Sequence, residues 1–333
     1  MATMLETELI TCPCGSAALP VDVFQTPTRR YVRCPGCELV FLNPRPLGTQ
    51  VEEFYREDYD EAYGEAEASS DRQPVFESVA RRLGLYRQPP GRLLDVGCGD
   101  GAFLALCQSA GWTCYGLELS KKAVARAARR DLTMLSSDWL EQAGEREPFD
   151  VITLVNVLET VTNPASLLRQ VAGALTPSGL VVIRATNGAF HLPMRTPARW
   201  VGSRYDQAFH LFLYSPQALR SLLKGIGLQT IAIHNSVPSR GPLTPVNPWM
   251  SRLKWRIGAT AFWSCAEVLY KATGGRMVWA PSFELIAQRS EGLLLTHPIG
   301  SGTGGGGGQS GFWVWSLRSA CLLHWPRLEC GHC

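Results

Sequence analysis

The sequence predicts an α/β fold in which a parallel sheet carries helices on both faces, with a small cysteine-rich module at the N-terminus. Three observations indicate this class. From residue 92 onward, short apolar runs alternate with amphipathic segments, which is typical of βαβ units. The first apolar run leads into a glycine-punctuated turn, and two pairs of closely spaced cysteines precede it at residues 12–37.

Seven strands and four helices follow from this alternation. The predicted strands cover residues 92–96, 113–117, 133–135, 150–155, 179–185, 229–234 and 283–288. The predicted helices cover residues 101–110, 120–130, 164–175 and 215–226. Ser215 and Pro216 are typical of the start of the last helix, as N-cap and first-turn proline, and Gly227 suits its C-cap.

Two further segments have helical character. Before the first strand, Val75, Val79 and Leu83 recur at helical spacing. After the predicted sixth strand, residues 242–275 interrupt the alternation with a stretch rich in Trp and Arg, which we expect to be a helical insertion over residues 240–279.

Composition excludes several classes of protein. Hydrophobic residues make up 45% and charged residues 18% of the 333 residues, so the chain has material for a core and is not disordered as a whole. A formal net charge of +3 argues against a protein that wraps nucleic acid. No run of about 20 apolar residues and no N-terminal signal pattern is visible, so we expect a cytoplasmic protein whose cysteines are reduced.

The turn after the first strand of the sheet predicts a nucleotide-type ligand. It runs Asp95-Val-Gly97-Cys98-Gly99-Asp-Gly101, and its glycines allow a ligand to approach backbone N–H groups at the carboxyl edge of the sheet. The same turn fits a dinucleotide fingerprint. However, a carboxylate two residues before the first glycine suits a cationic ligand and would repel a pyrophosphate.

Acidic and aromatic residues at the ends of the next strands favour the cationic ligand. Glu118 ends the second strand about 20 residues past the turn, where a carboxylate can accept both hydroxyls of a ribose. Asp138 and Trp139 follow the third strand and place an acceptor for an adenine amino group beside an aromatic face. The fourth strand ends in Val-Asn156-Val-Leu-Glu159, and residues 175–183 form a helix end, a turn and a strand.

In this order and spacing, residues 92–288 resemble the class I methyltransferases that use S-adenosylmethionine (SAM). The resemblance implies a Rossmann-like, seven-stranded sheet with helices on both faces. It also implies that SAM is the cofactor and that the methionine moiety, the ribose and the adenine occupy the edge just described. The residues it assigns to SAM are Asp95, Gly97, Cys98, Gly99, Gly101, Glu118, Leu119, Asp138, Trp139 and Asn156. One departure is Thr160, which stands where these enzymes usually carry His after Leu-Glu.

The cysteine pairs Cys12-Pro-Cys14 and Cys34-Pro-Gly-Cys37 predict a structural zinc site. Four thiolates from two short turns can enclose a tetrahedral Zn²⁺. The first turn is CxC rather than CxxC, which leaves free thiols or a redox pair as alternatives. This region resembles the N-terminal part of small-molecule methyltransferases with a zinc-ribbon head. Those enzymes often carry a segment like Leu39–Pro46 between the ribbon and the methyltransferase domain.

Candidates for the acceptor side follow the fourth and fifth strands. SAM is already an activated electrophile, so the protein must mainly align the acceptor and, where needed, remove a proton. We predict Glu159, His210 and Tyr214 as catalytic residues, since the run from His210 to Pro216 resembles a family segment that faces the site. A structural hydrogen bond is the alternative for His210. Further candidates near the acceptor or above SAM are Asn187, His191, Tyr205, Tyr55, Tyr59 and Tyr63.

The predicted function is therefore methyl transfer to a small molecule, such as a sugar, a polyketide-like or a quinone-type metabolite. The low net charge disfavours the first alternative, an RNA methyltransferase guided by the zinc module. A SAM-binding protein that has lost catalysis is the second alternative. Residues 249–270 mix Trp with basic residues and could contact a membrane surface, although a lid over the acceptor is favoured.

Four segments are expected along the chain. Residues 1–48 form the zinc-ribbon-like module, 49–91 a helical cover, 92–289 the methyltransferase domain, and 290–333 a linker and tail. Eight of the 32 glycines fall within residues 300–311, and the residues after them have no period. The tail is predicted to be disordered or foreign sequence, with a flexible arm ending in a small Cys/His site as the alternative.

Overall fold

The computed structural model describes residues 6–26, 29–59, 72–142, 147–237 except 201–209, and 252–290, with side chains described except at 195–200 and 252–260. All of them fall within one compact unit, Met1–Leu293. Tyr63, Tyr205, residues 240–251 of the predicted insertion and the tail beyond residue 290 lie outside the described residues.

Thirteen strands are present in the described part of the chain. In chain order they are β1 Thr7–Glu8, β2 Val21–Gln25, β3 Arg30–Arg33, β4 Val40–Leu42, β5 Arg45–Pro46, β6 Arg92–Val96, β7 Thr113–Leu117, β8 Thr133–Met134, β9 Phe149–Val155, β10 Leu175–Thr186, β11 Phe212–Leu213, β12 Leu228–Ser236 and β13 Ser282–Arg289.

The same residues contain eight α-helices. They are α1 Gly48–Glu53, α2 Gln73–Leu83, α3 Ala102–Ser109, α4 Lys121–Ala128, α5 Pro164–Ala174, α6 Gly188–Trp200, α7 Pro216–Gly225 and α8 Arg252–Ala272. A short π-helix, Phe54–Asp58, continues from α1. None of the described helices is both long and apolar enough to cross a lipid bilayer.

Seven strands form the central sheet, in the order β12-β13-β10-β9-β6-β7-β8. From β10 to β8 all neighbours are parallel, whereas β13 runs antiparallel to both β10 and β12. All seven predicted strands are present, each within four residues of its expected start, which confirms the predicted Rossmann-like fold class. The antiparallel insertion of the last strand was not predicted.

The burial of the strands explains why the hydrophobic pattern of the sequence predicted them. Six of the seven residues of β9 are buried, and five of those six are apolar, because helices cover both faces of a parallel sheet. The helices also begin where the sequence indicates. The Ser120, Asn163 and Ser215 side chains each accept a hydrogen bond from the backbone N–H three residues later, as N-caps do.

A second, four-stranded sheet forms near the N-terminus, in the order β11-β4-β3-β2. Strands β2, β3 and β4 come from the cysteine-rich region. Strand β11 comes instead from the chain between α6 and α7, in the region of the central sheet. Antiparallel pairing joins Phe212 to Phe41 and Leu213 to Val40. The cysteine-rich sheet is therefore completed by residues nearly 170 positions further along the chain.

Candidate functional site

The glycine turn after β6 takes a backbone conformation that only glycine adopts easily. Gly97, Gly99 and Gly101 have φ values of +72°, +57° and +78°. A Cβ on Gly97 would lie 2.6 Å from the Val157 side chain, whereas a Cβ on Gly99 would meet nothing within 4 Å. Gly99 therefore faces open space, where a ligand can approach the backbone.

Asp95, at the end of β6, is a buried carboxylate directly below this turn. It is 2% exposed and accepts a hydrogen bond of 2.6 Å from the Thr153 hydroxyl. Burial raises the pKa of Asp95 to about 7, although the Thr153 hydrogen bond and the charge of Arg72 act in the opposite direction. A buried carboxylate of this kind is well suited to bind a cationic ligand group, which would stabilise its ionised form.

Glu118 is held by three backbone N–H groups. Its Oε2 accepts from Gly99 at 2.9 Å, and its Oε1 accepts from Leu119 and Ser120 at 2.8 and 2.9 Å. These bonds fix the carboxylate at the end of β7, next to the glycine turn. The remaining lone pairs of the two oxygens are available to neighbouring hydroxyl donors.

An open cleft adjoins the turn. Among the predicted SAM residues, those lining it are Asp95, Gly97, Cys98 and Gly99. Burial raises the pKa of the Cys98 thiol well above its ordinary value, which makes it an inert loop residue. Asp138 and Trp139 lie outside the lining, in the turn after β8, where the Trp139 ring packs edge-on against Phe149.

Five residues of the cleft lining were missed by sequence reasoning: Arg72, Phe76, Asp100, Arg126 and Val155. Arg72 and Phe76 come from the start of α2, and the Arg72 guanidinium lies 5.4 Å above the Phe76 ring. The apolar spacing of α2 indicated a helix, but no sequence signal showed that this helix would reach the glycine turn. The contact between the Phe76 and Phe103 rings places α2 beside α3, the helix that follows the glycine turn.

A series of hydrogen-bonded, polar side chains connects Arg184 in the central sheet to Glu159. Arg184 is fully buried on β10, and its guanidinium donates to Asn156 Oδ1. Asn156 has a φ of +61° and its side-chain amide donates to Glu159 Oε1 at 3.3 Å. The backbone N–H of Thr186 donates to the same oxygen at 2.6 Å.

This arrangement leaves one oxygen of Glu159 without a partner. Glu159 is fully buried, and its Oε2 makes no hydrogen bond to any described residue. An unpartnered buried carboxylate oxygen is costly unless a further group binds to it. The neighbouring Thr160 hydroxyl donates to the Val157 carbonyl at 2.9 Å, so it is occupied within its own turn.

The segment that carries His210 and Tyr214 lies against Glu159. The backbone N–H groups of Leu211 and Phe212 both donate to the Glu159 carbonyl. The His210 Nδ1 atom is buried and has no hydrogen-bond partner among the described residues. Burial lowers the pKa of His210, while the Glu159 carboxylate acts to raise it.

Tyr214 and Asn187 are more enclosed than the sequence suggested. The Tyr214 hydroxyl is fully buried and donates to the Leu158 carbonyl at 3.3 Å, which fits a structural role better than contact with an acceptor. Asn187 is also fully buried, and its side-chain amide donates to the Ala280 carbonyl at 2.9 Å. His191 donates to the Pro281 carbonyl, and burial lowers its pKa to about 4.

The four N-terminal cysteines form one cluster. The sulfur atoms of Cys12 and Cys37 are 3.5 Å apart, those of Cys14 and Cys34 are 3.7 Å apart, and all four lie within 4.8 Å of one another. A tetrahedral zinc with Zn–S bonds of 2.3 Å separates its sulfurs by about 3.8 Å, so the cluster fits this ion. Hydrogen bonding between the two thiols raises the pKa of Cys12 and lowers the pKa of Cys37.

Comparisons with known proteins identify one family and one fold. Residues 69–233 match the model of a family described as a methyltransferase domain. A ubiquinone biosynthesis O-methyltransferase from Ralstonia nicotianae is 39% identical over 97 residues, which are 27% of this chain and 41% of that protein. A protein of the same name from Maricaulis maris is 30% identical over 167 residues, which are 46% of this chain and 65% of that protein. Both matches thus span less than two thirds of the relative.

Among solved structures, the chain is similar to magnesium protoporphyrin IX methyltransferase from Synechocystis PCC 6803. The TM-score is 0.50 at 14% identity, with 73% of this chain and 99% of that chain covered. Similarity at this level of identity concerns the fold alone.

Proposed function

Because the chain contains a class I SAM-dependent methyltransferase domain, we propose that the whole protein transfers the methyl group of SAM to a small-molecule acceptor. The observation that carries this proposal is the geometry at the carboxyl edge of the sheet. There, the open backbone of Gly99 lies between the buried carboxylate of Asp95 and the pre-oriented carboxylate of Glu118.

We propose a binding group for each part of SAM. Asp95 would receive the α-ammonium group, and the backbone of residues 97–101 would contact the methionine moiety. Glu118, with Leu119 beside it, would bind the ribose hydroxyls. Asp138 and Trp139 would bind the adenine, and Asn156 would lie beneath it. To this set we add Arg72, whose guanidinium lines the same cleft and suits the methionine carboxylate.

We propose that the acceptor carries an acidic hydroxyl, as a quinol or phenol does. Support comes from the relatives named for ubiquinone O-methylation and from the unpartnered Oε2 of Glu159. When bound, SAM would supply an electrophilic methyl group for the acceptor oxygen, with its sulfur as the leaving group. Glu159 accepts the hydroxyl proton through Oε2, while the Asn156 amide and the Thr186 N–H keep Oε1 in place. The buried Nδ1 of His210 provides a second polar contact for the acceptor.

We propose that the cysteine cluster holds a structural Zn²⁺ and that it closes an N-terminal module over residues 1–48. The spacing of the four sulfur atoms supports this assignment. The remaining domain boundaries are proposed as residues 49–91 for the cover, 92–289 for the methyltransferase domain and 290–333 for a dispensable tail. A chain truncated after Arg289 is expected to retain its SAM affinity, as measured by calorimetric titration.

The direct test of the activity uses SAM labelled in its methyl group and a cell extract separated into RNA and small-molecule fractions. Label is expected in a small molecule with a phenolic or enolic hydroxyl. The Glu159→Gln variant keeps the size of the side chain and is expected to lower the rate by about 10²–10⁴-fold. An equally conservative control is Glu147→Gln, on the exposed surface, which should retain full activity.

Label in the RNA fraction would instead support a zinc-guided RNA methyltransferase. SAM binding by titration without label transfer to either fraction would support a protein that has lost catalysis. Absence of SAM affinity, with and without extract, would refute the proposed function altogether.

A further inference from the structure

The chain between α6 and α7 is bound to the cysteine-rich sheet by both backbone and side-chain hydrogen bonds. Strand β11 pairs with β4 in antiparallel register, and the Leu42 N–H donates to the Leu211 carbonyl at 2.9 Å. The Tyr31 hydroxyl donates to the carbonyl of His210 at 3.0 Å. Both contacts come from strands β3 and β4, which flank the second cysteine pair.

The opposite side of the same segment is bound to the candidate active site. The N–H groups of Leu211 and Phe212 donate to the Glu159 carbonyl at 2.8 and 3.1 Å. The Gly188 N–H donates to the Tyr214 carbonyl at 2.7 Å. Residues 210–214 therefore lie between the cysteine-rich sheet and the end of β9, and they touch both.

The second cysteine pair forms the turn that joins β3 to β4. The Cys34 N–H donates to the Leu39 carbonyl, and the Glu38 N–H donates to the Cys34 carbonyl, both at 2.9 Å. Strand β4 begins only three residues after Cys37. Whatever fixes this turn also fixes the strand with which β11 pairs.

We propose that the cysteine-rich sheet is a positioning element for the acceptor side of the active site, with Tyr31 as its positioning residue. It fixes the backbone of residues 210–214 through β4 and through the Tyr31 hydroxyl, and so holds His210 against Glu159. A two-residue strand such as β11 has little stability of its own, so its conformation depends on the strand beside it. The inference rests on the proposed function only in treating His210 as part of the acceptor site.

Hydrogen exchange of single backbone N–H groups in the zinc-loaded full chain tests the proposal without any acceptor. Tyr31→Phe deletes the hydroxyl and keeps the ring that stacks on Phe24. The N–H groups of Leu211 and Phe212 are expected to exchange about fivefold faster, the effect of one lost hydrogen bond. The N–H of Gly99 in the SAM turn is expected to stay within about twofold, as is the affinity for SAM measured by titration.

The matched control is Tyr86→Phe, which deletes a hydroxyl that bonds to His234 at the far edge of the central sheet. It should leave Leu211 and Phe212 unchanged. Unchanged exchange of these two groups in Tyr31→Phe, or an equal acceleration in Tyr86→Phe, would overturn the proposal. Equal acceleration of Gly99 in Tyr31→Phe would also overturn it, because it would indicate general destabilisation.

Removal of zinc with a chelator supplies an independent arm. Exchange at Leu211 and Phe212 should rise together with exchange at Leu42, and re-addition of zinc should reverse both. Opening of the cysteine-rich sheet with Leu211 and Phe212 still protected would overturn the proposal.

The imidazole of His210 provides a readout that general stability does not move. The charged and titratable groups that act on it are Glu159, Arg29 and His191. In Tyr31→Phe, the pKa of His210 measured by NMR should rise toward its ordinary value as water reaches the ring, and it should not move in Tyr86→Phe. These outcomes concern positioning alone, whereas absence of labelled product from the wild type would count only against the proposed activity.

Discussion

Replacement of Asp95 by Asn should stabilise the ligand-free protein while it weakens SAM binding. Asp95 is fully enclosed at the end of β6 and accepts a hydrogen bond from the Thr153 hydroxyl. Asn has nearly the same shape and its amide oxygen can accept the same bond. The substitution therefore removes a buried charge without opening a cavity.

The pKa of Asp95 sets the size of this effect. It rises from 3.8 to about 7 in the folded protein. One pKa unit corresponds to about 1.4 kcal/mol, so the ionised carboxylate costs the ligand-free fold up to about 4 kcal/mol at pH 8. Asp95→Asn is then expected to raise Tm at pH 8 by about 5–10 °C.

The pH dependence follows from the direction of the shift. The folded state holds the proton more tightly than the unfolded state, so this contribution lowers stability as pH rises from about 4 to about 7 and stays constant above that. Asn has no proton to lose, so the variant and the wild type should be similar in stability at pH 4 and diverge up to pH 7.

SAM binding should show the opposite trend. The SAM ammonium binds the ionised form, so wild-type affinity should increase by up to about tenfold per pH unit below pH 7 and level off above it. Asp95→Asn should abolish this slope and weaken SAM binding at pH 8 by about 10- to 100-fold. Calorimetric titrations and thermal unfolding at pH 5 and pH 8 measure both effects.

Two further variants sharpen the test. Thr153→Val deletes the hydroxyl that lowers the pKa of Asp95, so it should destabilise the ligand-free protein more at pH 8 than at pH 5. Asp100→Asn, on the same turn but paired with Arg130, should leave the pH slope unchanged. A lower Tm for Asp95→Asn at pH 8, or a wild-type slope that persists in it, would refute the reasoning.

Three other predictions concern the metal, the glycine turn and the buried network. Metal analysis of protein purified without chelator should find about one zinc per chain, lost in Cys34→Ser; zinc retained in that variant would count against the cluster as its site. Gly99→Ala should weaken SAM binding, because its Cβ enters the open space proposed for the ligand. Its stability cost should be only about 1–2 kcal/mol, the strain of a positive φ. Gly101→Ala should destabilise the fold more, because its Cβ also overlaps the Leu132 side chain. Equal unfolding curves for the two variants would contradict this. Arg184→Met removes one of the two cationic neighbours of the buried Glu284 and leaves Arg82 at 3.9 Å, so denaturant unfolding should show a loss of no more than about 3–5 kcal/mol, partly recovered when Glu284→Gln is added.

The strands of the central sheet could be predicted because each is locally encoded. The predicted bounds of β6 and β7 match the structure residue for residue, since apolar runs bounded by polar turns end where the strand leaves the core. The start of α7 was also predictable, because Ser215 caps it and Pro216 follows. In contrast, α6 was missed: its 13 residues include two prolines, and Asn187, whose Oδ1 accepts from the Ala189 N–H at the helix start, was interpreted as a candidate for the acceptor site.

Residues that act across the fold were the hardest to predict. Arg184 stands within an apolar strand and gives no sign that its guanidinium reaches Asn156, just after β9, and Ser236 on β12. The same holds for Arg72, which enters the SAM cleft from a helix that precedes the sheet. Such contacts depend on the packing of whole elements, for which a local pattern carries no information.

The sequence by itself determined the fold class, the glycine turn, the acidic anchors at the strand ends and the four clustered cysteines, because each depends on residues close together in the chain. The tertiary structure alone decided that β11 completes the cysteine-rich sheet, that β13 is inserted between β10 and β12, and that Glu159 keeps one oxygen without a partner. These features depend on backbone pairing and burial between segments up to about 200 residues apart. Hydrophobic periodicity records which face of an element is buried, but not which other element covers it.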